Sequence, residues 1–348
     1  MRSCPLAPPG RPDVRDFTYV LADDVASAGS LVHNDAVARA VQTPDDVAYV
    51  AGGTTQYDLM RDGVWSPGTL VDISRLPLAD IEVSDDLLVV GAAVTMADLA
   101  RHPSVVDLDV LRDSLLLAAS PQLRTMATVG GNVLQRTRCR YFRDPTVTQC
   151  NKRVPGSGCA AVEGTARTHA VLGVDAGCIA VHASDLAVAL VALDARVRTH
   201  GPHGGRTISV TQLHVRADED PARDNTLVAG ELITHLEIPL PDARSGYLKV
   251  RDRASYEFAL TSAAVVARVE DGVLAHVAIG LGGVGSVPWR ATRAEEVLRG
   301  QRASLALFEE AAAAELADAF TVPGTAFKPE LARRTLVRQL RDVTEVTA

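Results

Sequence analysis

VAGGTTQYDLM, residues 50–60, ends a run of strand-forming residues and leads into a helical pattern. The strand covers Ala48 to Ala51, the chain turns at Gly52-Gly53-Thr54, and helical spacing runs from Gln56 to Arg61. A glycine pair at such a turn lets backbone N–H groups approach an anion closely, where the peptide dipoles also favour negative charge. A second pair, Gly130-Gly131, lies in PQLRTMATVGGNV, residues 121–133. Two such turns suit one pyrophosphate, whereas one alone reads as a plain tight turn. Gly280-Leu281-Gly282-Gly283-Val284-Gly285 fits GxGxxG by letter but runs into Ser286-Val287-Pro288, with no helix opening for a dinucleotide-binding unit, so it reads as a turn. Walker A and HExxH motifs are absent from the sequence, which leaves nucleotide hydrolysis and zincin chemistry without residues.

The chain has 348 residues, 47% of them apolar, enough for two or three domains with a real core. No apolar run reaches the roughly 18 residues of a membrane span. The opening MRSCPLAPPGRPD has no apolar stretch of the kind a signal peptide needs, so no export signal is expected on this chain. A net charge of -8 argues against nucleic acid and anionic membranes as partners, because both are met by basic surfaces. Only Lys152, Lys249 and Lys328 are lysines among 35 basic residues.

Outward from the glycine turns, residues 1–16 hold four prolines and read as an arm. A strand is expected at Phe17 to Val20, a helix around His33 to Gln42, a strand at Leu87 to Gly91, and helices at Met96 to Arg101 and Val106 to Ala119. Ser184 caps a helix running to Leu193, a hairpin spans Arg196 to Val210, and a strand at Glu231 to Leu240 closes the first unit. Strands near 246–253, 259–269 and 274–282, then helices near 290–300, 305–319 and 328–345, predict an α+β C-terminal domain. Residues 136–183, rich in cysteine, glycine and arginine and weak in periodicity, read as an insertion.

That insertion holds Cys139, Cys150, Cys159 and Cys178, separated by ten, eight and eighteen residues. None forms a CxxC pair, which speaks against structural zinc. An odd total of five cysteines in a long chain speaks against a disulfide framework. Buried structural thiols and a thiolate-ligated cluster both fit.

VAGGTTQYDLM and QLRTMATVGGNV resemble the paired FAD-binding motifs of the flavin subunits of the molybdenum hydroxylase, or xanthine dehydrogenase, family, and ASDLAVAL, ELITHLEIPLP and YLKVRDRASYEFAL follow in the same order. The resemblance runs from Phe17 to the C-terminus. It implies an α+β fold: a two-part FAD-binding domain of the vanillyl-alcohol oxidase and CO dehydrogenase flavoprotein type over 17–240, divided near residue 72, with a CO dehydrogenase flavoprotein-type domain over 245–348. Within the family, QRTRCRYFRD, CNKRVPGSGCAAVEG and HAVLGV are similar to the branch, typified by periplasmic aldehyde oxidoreductases, whose flavin subunit also holds a 4Fe-4S cluster. Cys139, Cys150, Cys159 and Cys178 would then be its ligands, with Arg138, Arg140, Arg143, Lys152 and Arg153 offsetting its negative charge. The proline-rich start with Cys4, and the long stretch between Tyr19 and Ala51, depart from the family pattern; Cys4 is left out of the cluster.

The same resemblance assigns the flavin site. Ala51, Gly52, Gly53, Thr54, Thr55 and Gln56 would wrap the pyrophosphate, and Thr128, Gly131 and Asn132 would complete the cradle, Asn132 being suited to a left-handed turn. Asp185 matches an acid facing the ribityl chain, and it would also suit a helix N-terminus. Leu232 matches an apolar flavin contact. Lys249 matches a lysine beside the isoalloxazine ring, where a cation favours the reduced anionic form.

The function implied is an electron-transfer subunit without catalytic residues of its own, taking electrons from a large molybdenum-cofactor subunit through a small 2Fe-2S subunit to FAD and an external acceptor. Two rivals are a stand-alone FAD oxidoreductase of the vanillyl-alcohol oxidase type and a non-enzymatic cofactor-assembly protein. The expected compartment is the cytoplasm; export of a folded complex on a partner's twin-arginine signal is the alternative.

Overall fold

The computed structural model describes residues 14–346, so Cys4 and most of the expected N-terminal arm lie outside the described residues. Three sheets organise the chain. The first is a parallel sheet of β1 (Thr18–Leu21), β2 (Val47–Val50) and β3 (Thr69–Asp72), with β3 in the middle. β2 delivers the chain into Gly52-Gly53 and the helix Gln56–Arg61, the strand-turn-helix unit that the opening motif predicts. The second sheet is antiparallel, in the order β4 (Ile81–Val83), β5 (Leu87–Gly91), β8 (Leu232–Pro239), β6 (Arg196–Gly201) and β7 (Gly204–Ser209). The third is a meander of β9 (Arg244–Val250), β10 (Thr261–Glu270), β11 (Val273–Gly282) and β12 (Trp289–Arg290), covered by helices Thr292–Leu298, Leu305–Leu316 and Lys328–Thr344.

Helix Asp185–Ala192 sits at the junction of the second and third sheets. Every one of its residues is buried, as expected for a segment apolar on all sides. It packs with Leu88, Val90, Leu236 and Ile238 from one sheet, and with Ala264, Val266 and Ala278 from the other. Close packing here demands glycine: a Cβ on Gly280 would lie 2.3 Å from the carbonyl oxygen of Val188. Gly283, at φ +70°, turns the chain out of β11, so the GxGxxG lookalike is a strand end followed by a turn.

Three expectations need correction. Residues 33–42 form no helix. Ala36, Ala38, Ala40 and Gln42 are buried at every second position, and their neighbourhood's backbone groups bond elsewhere: the Val37 carbonyl accepts from Arg136 and Asn225, and that of Ala40 from Trp65. The helix lies earlier, at Val25–Leu31, where Asp24 caps it. The helix expected over 106–119 is two, Pro103–Val106 and Asp109–Leu116. The second glycine pair is not an open turn but lies inside a short helix, Val129–Val133, capped by Thr128.

Candidate functional site

The two glycine motifs face each other across one cleft of about 510 Å³. What brings them together is backbone contact. A Cβ on Gly52 would lie 1.8 Å from the Met126 carbonyl oxygen, so only glycine lets the first turn sit against the second motif. Gly53 takes φ +70°, the left-handed region that glycine tolerates. The N–H groups of Gly52, Gly53, Thr54 and Thr55 have no protein acceptor among the described residues, although the next turn is closed normally by Tyr57 N–H donating to the Gly53 carbonyl at 2.9 Å. Four neighbouring unspent donors in a cleft fit an anionic pyrophosphate.

The second motif contributes differently. Its amides are spent: Gly130 donates to Ala92 O at 3.0 Å, Gly131 to Thr128 Oγ1 at 3.3 Å and Asn132 to Thr128 O at 2.8 Å. Asn132 is therefore helical, which corrects the expected left-handed turn. Its side-chain oxygen accepts from the Ser184 hydroxyl at 2.6 Å, while Ser184 caps helix Asp185–Ala192 by accepting from Ala187 N–H at 2.9 Å. Thr128 and Asn132 thus fix the shape of the wall and tie it to the helix that carries Asp185.

Ala51 to Gln56, Thr128, Gly131, Asn132, Asp185 and Leu232 all line the cleft. Lys249 does not. Its Nζ donates to Asp185 Oδ2 at 2.7 Å and to Leu117 O at 3.1 Å, and its side chain is 1% exposed. The other oxygen of Asp185 accepts from Tyr247 at 2.6 Å. Burial pushes the Asp185 carboxyl up while Lys249 and Tyr247 pull it down. The lysine holds the acid that faces the cleft. Sequence reading missed Met96, Arg136, Glu231, Tyr256 and Phe258, which also line it. Arg136, Glu231, Tyr256 and Phe258 fall within QRTRCRYFRD, ELITHLEIPLP and YLKVRDRASYEFAL, where nothing local marks them as cleft residues; Met96 falls in none of the motifs.

The cysteines converge on a separate site. Cys150 and Cys159 pair across a tight antiparallel bridge, with Asn151 N–H bonded to Gly158 O at 2.8 Å and the Asn151 amide reaching Gly177 O at 2.8 Å, beside Cys178. Cys139, Cys150 and Cys178 are buried in one apolar cluster with Phe142, and Cys159 packs against it. All four are free thiols. Burial chiefly pushes Cys139 up to about 12 and Cys178 to about 11, and the nearby Cys150 contributes to both shifts. His169 Nε2 lies 3.2 Å from Cys139 Sγ. Among the described residues no three His, Cys, Asp or Glu side chains are grouped to hold a single metal ion.

The basic residues of this loop are mostly committed. Arg138 pairs with Asp58 and stacks on Phe258, Arg143 pairs with Asp62, and Lys152 pairs with Asp224. Arg153 donates to the carbonyls of Tyr141, Phe142 and Val147. The expected pool of free compensating charge is therefore smaller than the composition suggests.

The sequence matches two family models: the FAD binding domain in molybdopterin dehydrogenase over residues 15–241 and the CO dehydrogenase flavoprotein C-terminal domain over 246–343. It is 40% identical to the aldehyde oxidoreductase FAD-binding subunit PaoB of Escherichia coli K12 over 333 residues, covering 94% of this chain and 98% of that one. It is 26% identical to the carbon monoxide dehydrogenase medium chain of Afipia carboxidovorans, covering 84% of each. The fold superposes on a chain of CO dehydrogenase from Oligotropha carboxidovorans with a TM-score of 0.72 at 22% identity, covering 96% of this chain and 99% of that one. On quinoline 2-oxidoreductase from Pseudomonas putida 86 the TM-score is 0.71 at 19% identity, with the same coverage.

Proposed function

The chain belongs to the family of FAD-binding medium subunits of molybdenum hydroxylases, and from that membership we propose that it is the electron-transfer subunit of a heterotrimeric molybdenum-dependent aldehyde oxidoreductase. It carries FAD in the cleft and a 4Fe-4S cluster on Cys139, Cys150, Cys159 and Cys178. A large molybdenum-cofactor subunit and a small 2Fe-2S subunit complete the complex, and an external acceptor receives the electrons. The aldehyde reading leans on the PaoB likeness.

The observation that carries the flavin half is the row of four unspent amides at Gly52 to Thr55, set in a cleft that also receives Asp185. Those amides bind a pyrophosphate without adding charge. Asp185, held by Lys249 and Tyr247, offers a fixed acceptor to hydroxyl groups in the cleft. Leu232 and Met96 supply apolar wall. FAD, when bound, supplies the exchange between one-electron and two-electron carriers. The cysteine half is supported by four unpaired thiols drawn into one apolar cluster by a hairpin and by Asn151.

The division of labour is tested by adding an aldehyde anaerobically to the purified complex and to this chain alone. Flavin bleaching is expected in the complex only. Bleaching of the isolated chain would mean that it carries its own substrate site, as a stand-alone oxidoreductase does.

A further inference from the structure

Between the cleft and the cysteine loop lies a buried charged array. Arg136, 4% exposed, lines the cleft, stacks 5.3 Å from the Trp65 ring centroid, and donates to Val37 O at 2.7 Å. Its Nε lies 3.2 Å from Asp224 Oδ2. The other oxygen of Asp224 accepts from Lys152 Nζ at 2.6 Å, and Lys152 also donates to Pro221 O at 2.9 Å. Lys152 follows Cys150 by two residues, and its charge is felt at Cys178. His182 and His214, edge-on at 4.6 Å, flank the array; burial lowers both, so they are neutral near pH 7. A cavity of about 20 Å³ among these residues has room for one water, and His182 Nε2 and His214 Nδ1 have no protein partner.

The charges do not balance. Asp224 is the single carboxylate paired with either cation among the described residues, so the array keeps one net positive charge out of solvent. An array that served packing alone would gain from balance or from replacement by apolar residues, because an uncompensated buried charge is costly. Arg136 faces the cleft and Lys152 the cysteine loop, so a pyrophosphate and a thiolate-ligated cluster bound as proposed above would supply the missing counter-charge.

We propose that Arg136, Asp224 and Lys152 are positioning residues that set the relative reduction potentials of the two centres, Arg136 acting on the cleft, Lys152 on the cysteine loop, and Asp224 damping both. This rests on the cluster assignment for its Lys152 half and on the FAD cleft for its Arg136 half. Each centre gains negative charge on reduction, so a nearby fixed cation favours the reduced form and a nearby carboxylate opposes it. At an effective dielectric of ~20, one unit charge about a dozen ångströms away changes an electron equilibrium about tenfold. For a one-electron step that is about 59 mV.

The test is potentiometric titration of the purified complex, reading flavin by absorbance and the cluster by electron paramagnetic resonance, after FAD and iron have been counted in each variant. Asp224→Asn is expected to raise both potentials. Lys152→Met is expected to lower the cluster's more than the flavin's, and Arg136→Met the reverse. The double variant Asp224→Asn with Lys152→Met restores the net charge, and its mean shift is expected to be smaller than that of either single change. Water admitted by structural damage also raises a potential, so the return of both potentials towards wild type in the double variant, which lacks Asp224 as well, separates tuning from damage; if a methionine variant fails to fold, Asp224→Asn in fully loaded protein whose denaturation midpoint matches wild type decides. Loaded variants with unchanged potentials, or a lowered pair in Asp224→Asn, would overturn the proposal. A complex with FAD but no iron would refute the cluster assignment instead, and the flavin shifts in Asp224→Asn and Arg136→Met would still decide the array's role.

Discussion

Lys249 Nζ stands 2.7 Å from Asp185 Oδ2, with both side chains buried and Tyr247 on the acid's other oxygen. Sixty-four residues separate the pair in sequence, and they join β9 to the helix at the centre of the molecule. Removing one partner leaves a buried charge alone, which costs roughly 3–5 kcal/mol, whereas removing both is far milder. Lys249→Met is therefore expected to lower the denaturation midpoint strongly and weaken FAD binding through the released Asp185. Lys249→Met with Asp185→Asn should recover much of the stability. A double-mutant cycle with coupling near zero would mean that the pair is not formed.

The first glycine turn separates two roles. Gly53→Val meets the left-handed φ of +70°, a conformation a β-branched residue strongly resists, and is expected to cut FAD content at least tenfold. Gly52→Ala drives a Cβ into the Met126 carbonyl and should part the two motifs, lowering both FAD content and stability. Gly131→Ala, with no positive φ and only Thr128 Oγ1 at 3.0 Å from the new Cβ, should be the mildest. Absorbance of released flavin ranks the three, and full retention in Gly52→Ala would place the pyrophosphate elsewhere.

These contrasts mark what the sequence carries. The unit from β2 through Gln56–Arg61, the helix Met96–Arg101 and the capped helix at Asp185 are legible because their signals are local: period, cap and glycine within a few residues. β3 is not, being four residues between Gly68 and Ile73 that gain strand character only by pairing with both β1 and β2. Residues 33–42 mislead because alanine favours helix on its own, while Arg136, Asn225 and Trp65 claim the carbonyls that a helix would need. The cleft's glycines were readable, and Arg136 and Lys152 fall within the quoted loop stretches, but Asp224, which joins them, lies 72 residues beyond Lys152 in no motif.

Lys328 gives a pH signature. It is fully buried and donates to the carbonyls of His169 and Gly283, and burial pushes it down to about 7. Unfolded lysine titrates near 10.4. Between these values the unfolded chain binds the extra proton, so stability rises with pH through that window. A gain of about 1–3 kcal/mol is expected between pH 7 and 9 in urea denaturation of the wild type, and a flatter profile in Lys328→Met. An identical slope in the variant would assign the effect to other groups.

Serine at Cys139, Cys150, Cys159 or Cys178 is expected to abolish the broad visible absorption of the cluster while leaving FAD in place, since none of the four cysteines lines the cleft. The loop 136–183 should become more protease-sensitive in these variants, because a cluster bound by all four thiolates would cross-link it. Cys4→Ser should match the wild type. Retention of full iron in any one of the four variants would remove that residue from the ligand set.

The most direct measurement is a cofactor count on protein purified without oxygen: flavin released by acid, identified by chromatography, together with iron, zinc and acid-labile sulfide per chain. The account requires one noncovalent FAD and about four irons with matching sulfide. FMN or no flavin in folded protein, stoichiometric zinc, or a Cys150–Cys159 disulfide in place of iron would contradict it.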